Sequence, residues 1–577
     1  MANSISMEIK WRWFDGVLPE GDTLSFDVEN DYYQLKAAKS KAQKTVTQCA
    51  VSNGTDTVVA RDSALVALLD ALSVYPGILV AQNGWYADVP WIRQTIPSFP
   101  YNQGETMALG YLDDENQSLA LQAMCIKYLG VDEWKEGITL DQSTDEFAEY
   151  NARDALYTMQ LYTHLSEKLQ GRCNIVSRII LPGMLALLSA SERGIWIDPG
   201  AVSIADEYYS TRISAVLNRL QAEHGIDRPT KRRLVAQALL DDGHKLSTTK
   251  SGQLSTSKGT LGRLKKTDLV NDIQKFNSLN KAYTAYVKRY QQISSRGDGR
   301  SHSPYSIIRT VTGRTSSPDQ QLPRTPLLRA FFSAPAGFRL VSADYNALQF
   351  RTAAWVAGEQ GLLRHFQQDP GFDPHRFFAS ILYGKPERDI TKDERQIAKS
   401  ANFGLLFMAQ PGTLVEYVYK TTSRVLTQDE ARHIYEVWHA TYPGFGRYYI
   451  RTWDELVEHG YVESFSGRRR HLPEFNVNSR MVGRIPRWKR HAGLREAVNF
   501  TMGQAPEADI TQIALAKCHQ EGLPLNGFVH DSISFEFDEF SPIPEDTIQY
   551  CMCEYPPFYL KEHFGVDFSM PLRIEIK

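Results

Sequence analysis

Asp27 and Glu29 stand two apart in Leu24-Ser25-Phe26-Asp27-Val28-Glu29. In a strand, residues i and i+2 face the same way, so both carboxylates are expected on one side. Asp88 follows in Asn83-Gly84-Trp85-Tyr86-Ala87-Asp88-Val89-Pro90-Trp91, and Asp154 lies four residues after Tyr150. On a helix that spacing puts both side chains on one face. Hard Mg²⁺ or Mn²⁺ ions take carboxylate oxygens. Two such ions ~3.5–4 Å apart stabilise both the attacking and the leaving oxygen of a phosphodiester displacement. In that chemistry Tyr150 would orient the attacking water. Singly, each residue reads as a solvated strand end or helix face. The ordered set of four carboxylates and a tyrosine points to phosphodiester hydrolysis.

A second group lies in the C-terminal half. The apolar strand-like run Phe338–Ala343 delivers Asp344 to its end, followed by Tyr345 and, after three residues, Gln349. Arg395, Lys399, Phe403 and Phe407 recur every four residues, forming one helical stripe. Two cations followed by two aromatics suit a nucleoside triphosphate, the cations meeting phosphates and an aromatic face stacking near the base. Alone, that stripe reads equally as an amphipathic helix with a core-facing aromatic edge. In Phe528-Val529-His530-Asp531-Ser532-Ile533 the alternating apolar residues predict a hairpin with His530-Asp531 at or near its turn.

These segments resemble known families. The set Asp27/Glu29, Asp88, Tyr150/Asp154 resembles the proofreading exonucleases of the DEDD superfamily, in the variant with Tyr before the last Asp, over about residues 20–165. One residue more than usual separates Asn83 from Asp88. Downstream, Asp344-Tyr345-Asn346-Ala347-Leu348-Gln349-Phe350-Arg351 resembles motif A of family A DNA polymerases. Arg395-x-x-x-Lys399-x-x-Asn402-Phe403-Gly404 resembles motif B, and Val529-His530-Asp531 resembles motif C. Thr312-Gly313-Arg314 resembles the segment that contacts primer–template, and Arg495-x-x-x-Asn499 with Gln504 the helix that touches template and minor groove, with one extra residue between Asn499 and Gln504. The resemblance implies Asp344, Tyr345 and Asp531 as metal positions. It implies Arg395, Lys399, Phe403, Phe407, Gln349 and His375 as nucleotide-binding, Lys399 also serving the leaving pyrophosphate. It implies Arg314, Arg495, Asn499, Gln504 and His530 as DNA-binding. Two Mg²⁺ ions per active site, with Mn²⁺ as an alternative, dNTPs and primer–template DNA complete the expectation. This sequence departs from the family at three positions. Motif A's Glu is Gln349, motif B's late Tyr is Phe407, and motif C's Glu is Ser532.

The elements that must carry these residues divide the chain. Residues 1–175 mix short apolar runs (Thr23–Val28, Gly77–Ala81) with helical patterns (Leu119–Leu129), which predicts an α/β domain, RNase H-like by resemblance. A mostly helical stretch, 176–300, would form the thumb of a right-hand polymerase, ending in a polar connector, Gln291–Ser303. An α+β remainder follows: palm over 301–360, fingers over 361–490, palm again over 491–577. The 577 residues suit several domains. Net charge is only -3, so bulk basicity points to no partner. Between Ser464 and Arg495, however, nine Lys/Arg face a single acidic residue, Glu474, and a phosphate backbone would favour such a patch through counterion release. The six cysteines are scattered, with no pair of CxxC units, which argues against structural zinc and disulfides. The N-terminus shows no apolar signal core, and no membrane span is expected. A monomeric cytoplasmic protein is expected, without a 5′-nuclease domain or a thioredoxin-recruiting insertion. Its small size suggests a phage-type enzyme acting in a host cell. The rival readings are a single-subunit RNA polymerase, a lapsed polymerase that only binds primer–template, and a pure exonuclease with a DNA-binding tail.

Overall fold

The computed structural model describes residues 9–31, 45–136, 141–249, 251–319, 322–323, 325–422, 424–479 and 485–577. The N-terminal sheet has six strands: β1 (Arg12–Trp13), β2 (Thr23–Asn30), β3 (Val46–Ser52), β4 (Thr57–Arg61), β5 (Ile78–Ala81) and β6 (Gly104–Glu105), in the order β1-β4-β3-β2-β5-β6. Strand β2 is the pivot, antiparallel to β3 and parallel to β5. Its even-numbered residues Leu24, Phe26 and Val28 pack with Leu65, Leu68, Leu69 and Leu72 of the Asp62–Ser73 helix. Its odd-numbered residues, Ser25, Asp27 and Glu29, face the other side, as the period of two requires. There the Asp145–Leu169 helix crosses the sheet, with Ala148, Ala152 and Ala155 packed on Ala50 and Val59. Small residues on both sides let the helix lie close: the Ser25 hydroxyl donates to the Ala155 carbonyl at 2.6 Å. This close approach carries Asp154 to the carboxylates of β2.

The chain shows no break at residue 175. Helical turns continue from Asp145 to Arg193, and one core cluster joins Leu161 and Leu165 of this run to C-terminal residues such as Val341 and Phe350. A window within the run is long and apolar enough to cross a bilayer, with mean hydropathy 1.6, but 56% of it is buried inside the protein, as in a core helix.

Three short strands, β7 (Ile195–Ile197), β8 (Arg300–Ser301) and β9 (Phe332–Ser333), form a sheet in the order β8-β7-β9. Between β7 and β8 the Pro199–His224 and Asp268–Ala282 helices pack on each other through Val216, Leu220, Val270 and Ile273. The expected connector at Gln291–Ser303 is more ordered than its polarity suggested. The helix runs to Ser294, and Arg300 is fixed by a bidentate pair with Glu536 at 2.8 and 3.0 Å.

Strand β10 (Phe338–Tyr345) follows; β11 (Tyr461–Glu463) and β12 (Arg469–His471) make a separate hairpin. Strands β13 (Leu525–Val529), β14 (Ser532–Asp538) and β15 (Ile574–Ile576) complete a four-stranded sheet in the order β13-β14-β10-β15. Two helices overhang it. The Pro374–Tyr383 helix is N-capped by Asp373, and the Lys392–Leu406 helix starts at a reciprocal Thr391/Glu394 capping box.

Candidate active sites

The four N-terminal carboxylates converge. Ligand atoms of Asp27, Glu29 and Asp154 all lie within 4.8 Å of one another. Asp88 opens the short Asp88–Ile92 helix beside them, its Oδ1 accepting from the Val28 N–H at 3.3 Å. The extra residue before Asp88 sits in a tight turn, with Asn83 at φ 63°. Glu105 fixes that turn by accepting from the N–H groups of Asn83 and Gly84 at 2.6 and 3.0 Å. Asn151 donates to Asp27 Oδ2 at 2.7 Å. Neither Glu105 nor Asn151 was singled out from the sequence. Asn151 had a usable signal, since it lies three residues before Asp154 on the same helix.

Burial drives the charge state here. It pushes Glu29 up to about 8 and Asp88 up to about 7, with Asp154 adding repulsion to both. Asp27 is raised well above the ordinary carboxylate range by burial and by Asp154, Asp88 and Glu29. Packing this many buried carboxylates together is unfavourable without a compensating cation. Part of the compensation comes from Lys135, whose Nζ lies 2.5 Å from Asp154 Oδ2, with Trp134 Nε1 donating to Oδ1 at 2.6 Å. The Tyr150 hydroxyl lies 3.5 Å from Lys135 Nζ. The donor set is all oxygen, closely spaced and under-compensated, and so it fits hard divalent cations.

The C-terminal residues converge on a second cleft of about 750 Å³, where Asp344, Asp531, Arg395, Lys399, Phe403 and His375 meet. Asp344, the penultimate residue of β10, is in register with Ser532, and Asp531 occupies the β13–β14 turn after His530, which sits at φ 60°. Burial raises both aspartates, and Asp531 reaches about 7 with Glu507 and Asp344 contributing repulsion. Arg395 is held by Asp373 at 2.6 Å. His375 is buried, which pushes it down to about 3 and leaves it neutral; its Nδ1 meets Asn402 at 3.0 Å and its ring lies 5.5 Å from Phe403. Asp373 and Glu507, both on this cleft, were missed from the sequence because their motif positions carried no chemical expectation.

An adjoining cleft gathers Arg314, Gln349, Phe407, Arg495, Asn499 and Gln504. The extra residue between Asn499 and Gln504 is absorbed by a π-helical stretch, Asn499–Gln504, so both side chains face that cleft. Phe407 lies so close to this stretch that a Cβ on Gly503 would come within 2.9 Å of its ring.

Tyr345 lines the cleft, with its side chain buried and its hydroxyl donating to the Met552 carbonyl at 2.5 Å. One expectation needs correction. The basic stretch is not one phosphate-facing patch. Arg468 is buried against Asp509 at 2.6 Å, and Arg470 bridges Glu115 and Glu496 at 2.6 and 2.7 Å. His471 adds a 2.8 Å contact to Glu115, so this part docks the N-terminal domain. Arg487, Trp488, Lys489 and Arg490 remain exposed, while Arg480 and Arg484 lie outside the described residues.

Comparison with known proteins matches residues 230–576 to the model described as DNA polymerase family A, and residues 17–170 to that of a 3′-5′ exonuclease. The chain belongs to DNA polymerase family A. It is similar to DNA polymerase I of Pseudomonas aeruginosa, 28% identical over 75% of this chain and 49% of that protein. A thermostable DNA polymerase I of Thermus filiformis is 30% identical over 70% of this chain and 48% of its own length. The chain therefore spans about half the length of these curated relatives. A solved structure, the POL domain of Pol1 from M. smegmatis in complex with DNA primer-template and dNTP, covers 96% of this chain with 95% of its own, at TM-score 0.78 and 21% identity. That likeness establishes the fold, and the two family matches name its parts: an α/β exonuclease domain followed by the α+β polymerase domain of family A. The relatives named here are bacterial, and they give the phage-type expectation no support.

Proposed function

We propose that this family A member synthesises DNA from dNTPs on a primed DNA template and removes mismatched 3′ ends at a separate hydrolytic site. The observation that carries the reading is the pair of separate carboxylate clusters, one of them walled by Arg395, Lys399 and Phe403. Divalent cations, Mg²⁺ with Mn²⁺ as substitute and two per site, would supply Lewis acidity toward the attacking and leaving oxygens when bound. Asp344 and Asp531 would hold them in the polymerase cleft. Asp27, Glu29, Asp88 and Asp154 would hold them in the exonuclease site, where Tyr150 orients the attacking water. Tyr345, which lines the same cleft, would complete the polymerase set by resemblance.

In the polymerase cleft, Arg395 leaves Asp373 for the β and γ phosphates, and Lys399 stabilises and protonates the departing pyrophosphate. Phe403 and His375 border the sugar and base, and Gln349 with Phe407 sets the space beside the 2′ position. Arg314, Arg495, Asn499, Gln504 and His530 contact primer–template. The protein acts as a cytoplasmic monomer without thioredoxin. Primer extension with dNTPs, then with NTPs, together with degradation of a 3′-mismatched primer, tests all of this. Extension with dNTPs alone and mismatch removal are expected. Extension with NTPs, or binding without extension, overturns the reading.

A further inference from the structure

Ser532 occupies the position after Asp531 where the motif C pattern has a carboxylate, yet beside Asp344 and Asp531 the cleft is lined by Asp373, Glu507 and Glu575. Asp373 is held by Arg395 and Glu575 is exposed, whereas Glu507 is buried and enters from a different element, the first turn of the Ala505–Gln520 helix. It is only 3% exposed. Its Oε2 lies 2.5 Å from the Arg314 guanidinium, and its charge is close enough to Asp531 to be the largest electrostatic repulsion on it. A buried carboxylate with one partner is costly unless it has a task. Arg314 is only partly satisfied in turn, since its Nε is buried and without a hydrogen-bond partner. The loop that carries Arg314 is fastened to the same helix, Gln512 donating to the Gly313 carbonyl at 2.7 Å. Helix, loop and carboxylate therefore form one unit against the two aspartates.

We propose that Glu507 is a positioning residue of the polymerase cleft that takes over from position 532, holding Arg314 in place and adding its buried negative charge to the metal-binding field of Asp344 and Asp531. The proposal rests on the polymerase reading. On it, charge has moved from the hairpin to the helix, so returning charge to the hairpin must compensate for its loss from the helix.

The test compares the full chain with Glu507→Gln, Ser532→Glu and the double variant. Glu507→Gln keeps the shape and a hydrogen-bond acceptor for Arg314 while removing the charge. It is expected to lower kcat for extension about tenfold or more, with little change in primer–template Kd. It should also weaken Mn²⁺ binding to the primer–template complex, read by electron paramagnetic resonance, severalfold. Mismatch removal at the other site should persist, which reports that the variant is folded. Ser532→Glu in the Glu507→Gln background is expected to recover most of the lost Mn²⁺ affinity and rate. Unchanged rate and Mn²⁺ affinity in Glu507→Gln overturn the proposal. So does failure of Ser532→Glu to restore either, because Glu507 would then be no more than the ion-pair partner of Arg314. If the unmutated protein itself extends no primer, the polymerase reading falls and takes the proposal with it; if it extends normally and only these variants disagree, the proposal falls alone.

Discussion

The two clefts solve the same electrostatic problem with different surroundings. In the N-terminal site Asp27, Glu29, Asp88 and Asp154 are brought together beside a helix, and among the described residues Lys135 is ion-paired to Asp154. In the C-terminal site Asp344 and Asp531 border a cleft of about 750 Å³ with Arg314, Arg395 and Lys399 on its walls. The first arrangement concentrates negative charge and leaves its neutralisation to what binds there. The second spreads charge of both signs over a space large enough for a triphosphate. A hydrolytic site needs to grip metals and one phosphodiester. On the proposed reading, a synthetic site must also receive a polyanion with each cycle, and the ion pair with Asp373 keeps Arg395 available for it.

The largest expected effects separate the two sites. Asp344→Ala or Asp531→Ala should lower extension by about a thousandfold or more, a barrier change of several kcal/mol, while mismatch removal continues. Asp27→Ala with Glu29→Ala should do the reverse. Gel assays of both activities on each folded variant check this; loss of both activities in either variant would merge what is described here as two sites.

The next effect sharpens the role of the aromatic wall. Phe403 faces the cleft without a hydroxyl to replace the hydrogen bond of a missing 3′-OH. Phe403→Tyr should raise dideoxynucleotide incorporation about tenfold or more, one added hydrogen bond near charge being worth ~1.5–3 kcal/mol. Competition between dideoxynucleotides and dNTPs measures it, and equal use of both by the unmutated enzyme contradicts it.

A smaller effect concerns Gln349 and Phe407, which share the adjoining cleft. A carboxylate at 349 would face a phenyl ring without a hydroxyl partner, at a cost of ~1–3 kcal/mol. Gln349→Ala should admit ribonucleotides, and Gln349→Glu should be worse alone than with Phe407→Tyr. A double-mutant cycle on dNTP incorporation reads the coupling; strict additivity rejects it.

A further effect is on stability. Unfolded carboxylates titrate near 4, whereas Glu29 and Asp88 titrate near 8 and 7 in the folded protein. Between those values these two groups bind more protons in the native state than in the unfolded state, so their contribution to metal-free stability is greatest at low pH and is lost as pH rises through about 7–8. Thermal unfolding in chelator should show the midpoint falling from pH 5 to pH 8. Asp27→Asn with Glu29→Gln should flatten that slope, as should added Mg²⁺. A midpoint that rises over this range would mean that the carboxylates are already neutralised by protein groups such as Lys135.

The sequence by itself determined the elements and the inventory. Period-two alternation placed Asp27 and Glu29 on one face of β2, and the apolar run before Asp344 became β10. The four-residue stripe from Arg395 became the capped Lys392–Leu406 helix, with Phe407 closing it. These patterns are local, set by neighbours within a few residues, and so they are readable along the chain. What the tertiary structure decided are the partners. Alanines on the Asp145–Leu169 helix let Asp154 reach β2, and a π-helical stretch brings Gln504 to the cleft of Asn499 despite an extra residue. The arginines around β12 read as one basic surface until packing turned Arg468 and Arg470 inward to Asp509 and Glu115. Glu507 was invisible for the same reason. Its chemistry depends on Arg314 and Asp531, 193 positions before it in one case and on a different element in the other, and charge pairing across such separations leaves no periodicity to read.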